Sequence, residues 1–205
     1  MSEAHFPTDI ELALSQAVFE IERGAAALGW DRAATVYALV FTKDLLAVPE
    51  LPAEMRDHLE AAWDGNPAAL TAIIQEDLPG ADLEETLAQL AWPESVAGAA
   101  VCTERVMVPP AAQAEAPEDP LEALEYFANH PDRDEVRLVA AVMRSGEAWC
   151  AVRARSHDFD DQVGEGSNLV PGLVEALAAT FLSAEDRLAE DSCGSGGCED
   201  CSCAE

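Results

Sequence analysis

Four thiols crowd the carboxyl end of the chain, Cys193, Cys198, Cys201 and Cys203, with four, two and one residues between them. Thiolates are soft ligands and a glycine-containing segment can wrap a soft ion, so this spacing admits Zn(II) or Cu(I). A zinc knuckle normally presents two CxxC-like pairs on hairpins, whereas these cysteines form a tail, and adventitious metal or reversible disulfides are the alternative. A second set is cationic. Of only eleven Lys and Arg residues, five are Arg133, Arg137, Arg144, Arg153 and Arg155, and forked guanidinium donors suit a phosphate or carboxylate. Asp132, Asp134 and Glu135 before this stretch, and Asp158, Asp160 and Asp161 after it, could instead absorb those charges in ion pairs. A third set, His157, Asp158, Asp160 and Asp161, offers ligands for a divalent ion but lacks the sixth-position glycine and final glutamate of an EF-hand loop, and reads as a solvated loop. Gly164-Glu165-Gly166-Ser167 ahead of a helix is a weak anion-binding turn. His5, His58 and His130 have no nucleophile beside them, and no GxSxG, P-loop, HExxH or dinucleotide fingerprint occurs. Spacing nominates no catalytic residue and, beyond the tail, no cofactor.

The arginines must be positioned by two runs, Val136 to Arg144 and Glu147 to Arg155, on either side of Ser145-Gly146, a pair suited to a two-residue hairpin turn. With those two residues as the loop, Met143 faces Ala148, Ala141 faces Cys150 and Val139 faces Val152, while Val142 faces Trp149 and Ala140 faces Ala151. Arg137, Arg153 and Arg155 then gather at the open end, and Arg144 meets Glu147 as a rim pair. Both faces of such a hairpin are apolar, so it belongs near the middle of a sheet with cover above and below.

Around it, Thr8 and Glu11 have capping-box spacing, and Ile10, Leu14, Val18 and Ile21 carry a helix from Asp9 to Leu28. Thr35 to Phe41 reads as a buried strand reaching toward Leu46, and helices are expected over Ala53 to Trp63, Pro67 to Leu78 and Leu83 to Leu90. Val96 to Val108 is a strand, residues 109–120 a proline-rich acidic linker, and Pro120 to Asn129 a helix. After the loop Ser156 to Gly166, Ser167 or Asn168 would cap a helix with Pro171 in its first turn and Leu173, Leu177 and Phe181 facing inward. This irregular order predicts one α+β domain over residues 1–183, with a mixed or antiparallel sheet of about four strands and the hairpin 136–155 at its centre. Residues 184–205 are expected to be a disordered acidic tail.

The formal net charge of −29 over 205 residues opposes nucleic-acid phosphates and anionic membranes, and has an ordinary use in solubility. No export signal is expected in Met1 to Glu11 and no apolar run reaches about 18 residues, which points to the cytosol. Cys102 and Cys150, inside apolar runs, are expected to be reduced core thiols.

Three motifs carry a family likeness: Ala91-Trp92-Pro93 with Val96-Ala97-Gly98, then His130-Pro131-Asp132-Arg133, then Leu169-Val170-Pro171-Gly172-Leu173 leading into Ala176-Leu177-Ala178. Over about residues 8–182 the chain resembles an uncharacterised family of small acidic actinobacterial proteins. The motifs are structural in kind, so the resemblance implies no activity, cofactor or catalytic residue, and it leaves the cysteine tail outside the shared pattern. The expectation is a soluble, non-enzymatic binding or adaptor module with a basic protein partner. The alternatives are an enzyme with an anion site at the arginine end of the hairpin, and metal or redox handling by the tail.

Overall fold

Thr8 opens the first helix, α1 (Asp9–Ala27), with a reciprocal cap: its hydroxyl accepts from Glu11 N while its own N–H donates to the Glu11 carboxylate. The apolar stripe of α1 lies on a six-stranded antiparallel sheet seen in a computed structural model that describes residues 7–76 and 82–182. Its strands are β1 (Thr35–Phe41), β2 (Leu70–Gln75), β3 (Gly98–Met107), β4 (Asp134–Met143), β5 (Ala148–Ala154) and β6 (Gly164–Gly166), in the order β2-β1-β3-β4-β5-β6. Six further helices are α2 (Thr42–Leu46), α3 (Ala53–Ala62), α4 (Leu83–Gln89), α5 (Pro110–Ala114), α6 (Pro120–Asn129) and α7 (Pro171–Ala179). The cysteine tail lies outside the described residues. None of the described helices is long and apolar enough to cross a membrane.

The core has two layers, one on each side of the sheet, as a hairpin apolar on both faces requires. Leu39, Ala100, Cys102, Val139, Ala141 and Ala151 pack under α1 through Leu14, Val18 and Ile21. On the reverse face Val36, Ala99, Val101, Ala140, Val142 and Cys150 pack against Leu83 and Leu87 of α4 and Leu177 of α7. Cys102 and Cys150 are buried free thiols on opposite faces, so no disulfide can join them in the folded sheet. Gly98 occupies a place that only glycine fits, because a Cβ there would stand 2.8 Å from Val142 O and 2.9 Å from Met143 Sδ.

Several elements differ from expectation. The hairpin turns through three residues, Arg144, Ser145 and Gly146: Met143 N donates to Glu147 O, Gly146 N donates to Met143 O, and Gly146 alone takes a positive φ of 106°. A two-residue I′ loop needs positive φ at both positions and Ser145 does not supply it. The register therefore shifts by one, pairing Ala141 with Trp149, Ala140 with Cys150 and Val139 with Ala151. Hydrophobic pattern could not choose between registers on a strand pair apolar on both sides. Residues 70–75 of the expected helix Pro67 to Leu78 are a strand. Asn66 Oδ1 accepts from Ala68 N in a tight turn, and the β-branched run Thr71-Ala72-Ile73-Ile74 then pairs with β1. The extension of β1 toward Leu46 is α2, and the proline-rich linker holds the single turn α5, with Pro110 at a helix start that tolerates it. The acidic loop contributes β6, whose three residues pair with Cys150 to Val152, and α7 starts after Val170 without a side-chain cap from Ser167 or Asn168. The sheet thus gains β2 and β6 at its two edges beyond the four strands expected.

Candidate functional site

The three arginines of the hairpin's open end converge on one face of the sheet. Arg137 and Arg153 are directly paired across β4 and β5, and Arg155 lies two residues on. Each meets acids from elsewhere in the chain. Glu22 of α1, 1% exposed, accepts from Arg153 through both oxygens, at 2.6 Å to Nε and 2.8 Å to Nη2, and stands 3.8 Å from Arg137 Nη1. Arg153 also donates to Asp158 and Asp160, and Arg137 Nη2 donates to Glu104 of β3 and to Gly29 O. Arg155 holds Asp31 bidentately, at 3.0 Å to each oxygen, and pairs with Glu135. Trp30 is the hub: Arg137 stacks over its ring at 4.3 Å, Arg155 sits at 5.5 Å, and its indole N–H donates to Asp158 at 2.8 Å.

These contacts set the local electrostatics. The Trp30 indole and the Arg153 guanidinium hold the Asp158 carboxyl below its ordinary range, and Arg155 does the same for Asp31. Arg153, held by Glu22 first and Asp160 next, is pushed further toward its protonated form. Six carboxylates surround three guanidiniums, so the cluster carries excess negative charge. One donor stands apart: Nη1 of the fully buried Arg137 has no hydrogen-bond partner. Asp31 supports the cluster at a backbone φ of 64°, in the left-handed region, and its N–H donates to Glu104.

Beside this cluster opens a cleft of about 1320 Å³. Glu20 and Ile21 of α1 line it with Leu28 just past that helix, as do Met55, His58 and Leu59 of α3 with Trp63 at its end, and Tyr37, Cys102, Glu104 and Arg137 join it to the cluster. Five consecutive residues of β2, Leu70 to Ile74, also line it. Tyr37 and Cys102 belong to the layer under α1, so the cleft extends over that face of the sheet as far as Arg137 of β4 and takes in β2, the edge strand, at its other limit. α3 contributes a helix with no buried residue, although Arg56 ties its first turn to Leu46 O and Val48 O and the Trp63 indole donates to Asn66 O. Burial pushes the Cys102 thiol up to about 11 and raises the Tyr37 phenol, so at neutral pH both are protonated and neither is a nucleophile.

Outside the cluster the buried indole N–H of Trp149 also makes no hydrogen bond, while other polar groups are bonded locally. Asp134, Ser156 and His157 come together, an assembly that spacing did not suggest. Ser156 Oγ donates to Asp134 and lies 2.7 Å from His157 Nδ1, so the serine bridges acid and imidazole and the imidazole is not placed between them. That order does not build a charge-relay nucleophile. Arg144 forms no rim pair with Glu147. It donates to the carbonyls of Trp92, Pro93 and Val96 and stacks 4.7 Å from Phe181, while Glu147 accepts from Ser145. Residues of the motifs singled out in the sequence do structural work of this kind: the Trp92 indole donates to Thr180, and Arg133 and His130 close the end of α6. Among the described residues no cluster of His, Cys, Asp and Glu is arranged to hold a metal, and Cys193, Cys198, Cys201 and Cys203 lie outside them.

The fold and this site define an antiparallel α+β protein with a large cleft that takes in the edge strand β2 and reaches the charged cluster through Asp31, Glu104 and Arg137. The chain belongs to the PPA1309-like protein family, an uncharacterised family whose model matches residues 14–182. No curated protein and no solved structure matches it significantly.

Proposed function

We propose that the protein is a non-enzymatic, cytoplasmic binding module that holds a protein partner in the cleft beside β2. The cleft carries this reading. Small-molecule pockets run to roughly 300–1,000 Å³, and this one, at about 1320 Å³, is larger and takes in five successive residues of the edge strand β2. The unburied face of α3 gives it surface to bind with, and its thiol and phenol, protonated at neutral pH, are not activated to react. A net charge of −29 favours a basic partner over nucleic acid or an anionic membrane. Affinity purification of the full chain from its own cells tests this, run beside Trp63→Asp and Ile74→Asp variants whose thermal unfolding matches the parent. One partner protein recovered by the parent and lost with both variants is the expected result; equal recovery by all three chains overturns the reading.

One observation favours an anion site at Arg137, Arg153 and Arg155 as a second reading, namely that Nη1 of Arg137, though 3.8 Å from Glu22, makes no hydrogen bond. The six surrounding carboxylates weigh against it. Titration with inorganic phosphate, followed through the arginine side-chain resonances, should leave Arg137 unmoved if the protein-binding reading holds. The tail thiols stand as a separate proposal for Zn(II) or Cu(I), distinguished by truncation after Leu182, which would remove metal from the protein without changing its unfolding temperature.

A further inference from the structure

We infer that the occupant of the cleft is an extended segment of a basic partner chain, added to β2 as a seventh strand. This rests on the binding reading above and names the mode and chemistry of the contact. The two edges of the sheet are built differently. β6 is three residues long and carries Glu165, features that discourage pairing with another chain. β2 is six residues long, Leu-Thr-Ala-Ile-Ile-Gln, with no charged residue and no proline, and its Ile73 and Ile74 are 36% and 56% exposed. A quarter of the whole chain is charged, so an uncharged, exposed edge strand is a departure from its surroundings. Such an edge presents main-chain donors and acceptors to any strand that arrives.

The cleft fits that arrival. Five successive residues of β2 line it together with Met55 and Leu59 of α3 and Trp63 at that helix's end, so a strand added to β2 would find main-chain partners on β2 and apolar side chains in the same cleft. Side chains of an added strand alternate, one set falling beside Ile74 and the next beside Ile73. Charge decides which chain can enter. Glu20, Asp31, Asp64 and Glu104 line the cleft against Arg32 and Arg137, and the molecule as a whole repels a second copy of itself. The segment that fits alternates cationic with β-branched or aromatic residues.

The test uses the full chain and an acetylated, amidated peptide of about ten residues alternating lysine and valine, a length that covers the strand. Three comparison peptides accompany it: one with glutamate for lysine, one with the valine amides N-methylated, and one with the lysine amides N-methylated, so that either hydrogen-bonding edge is blocked without altering charge. The expected result is one-to-one binding of the lysine peptide with amide shifts centred on residues 70–75. One N-methylated peptide should bind about tenfold or more weakly, because its main-chain hydrogen bonds go unmade, and the glutamate peptide should not bind. Equal binding of all the lysine-containing peptides overturns strand addition while leaving the binding reading intact. Failure of every peptide overturns it too, and the affinity purification with Trp63→Asp and Ile74→Asp then tells whether the binding reading falls with it. A dimer of the chain that separates on Ile73→Lys substitution would assign the edge to a second copy and overturn the basic partner.

Discussion

Glu22 is the residue on which the arginine cluster turns. It supplies both oxygens to Arg153 and faces Arg137 from inside the protein, so its loss removes the fully buried carboxylate from two buried guanidiniums and leaves Arg153 only its partly exposed partners Asp158 and Asp160. Glu22→Ala should lower unfolding free energy in urea by about 3–5 kcal/mol, the cost of breaking a buried pair from one side. Arg155→Ala, at a 40% exposed side chain, should shift the midpoint far less. The pH dependence has a definite sign. Asp31 and Asp158 are held below their ordinary value of 3.8, so their contribution is present above that value and is lost as pH falls through the lowered folded values. Stability measured from pH 6 down to pH 2 should fall most steeply below about 4, and Asp158→Asn should flatten that fall; an unchanged slope would separate Asp158 from acid unfolding. The arginines and their candidate acids in the neighbouring loop were legible in sequence. Glu22 left a fainter trace, since it continues the i, i+4 row of Ile10, Leu14 and Val18 as a carboxylate on an apolar stripe. Its partner, 131 residues away, was not deducible from any local pattern.

Among the elements, those with their own start and stop chemistry were the readable ones. The capping box of α1, Asp82 and Asp119 at the heads of α4 and α6, and the apolar runs of β1, β3 and the hairpin all fall where their residues direct. β2 was not readable, because Pro67 to Leu78 also satisfies a helical period and only the ladder with β1 decides between them. Register failed for a related reason, since a one-residue slip exchanged one apolar face for another. Gly98 is the position where the packing of β3 beside β4 is least forgiving. Gly98→Ala should cost about 1–3 kcal/mol of stability, read by chemical denaturation. A loss below a few tenths of a kcal/mol would mean that the strands separate freely at that end.

At the scale of the whole molecule, stability is distributed unevenly. Eight successive residues of β4, Val136 to Met143, are buried, whereas α3 and α6 bury none. Amide exchange should therefore be slowest through β4 and the first half of β3 and fastest in α3 and α6; protection in α3 equal to that of β4 would contradict the loose seating described for it. The cleft was invisible in the sequence because it belongs to no element: α1, α3 and β2 make it only when assembled. The two-sided cover of the sheet also bears on biosynthesis. α1 precedes every strand and can shield its own face as soon as they arrive, whereas on the reverse face α4 supplies only part of the cover and the rest waits for α7. A translating chain consequently keeps part of the apolar layer of Val101, Ala140 and Val142 uncovered until residue 179 or so has emerged, and that interval is when a chaperone would have most to do.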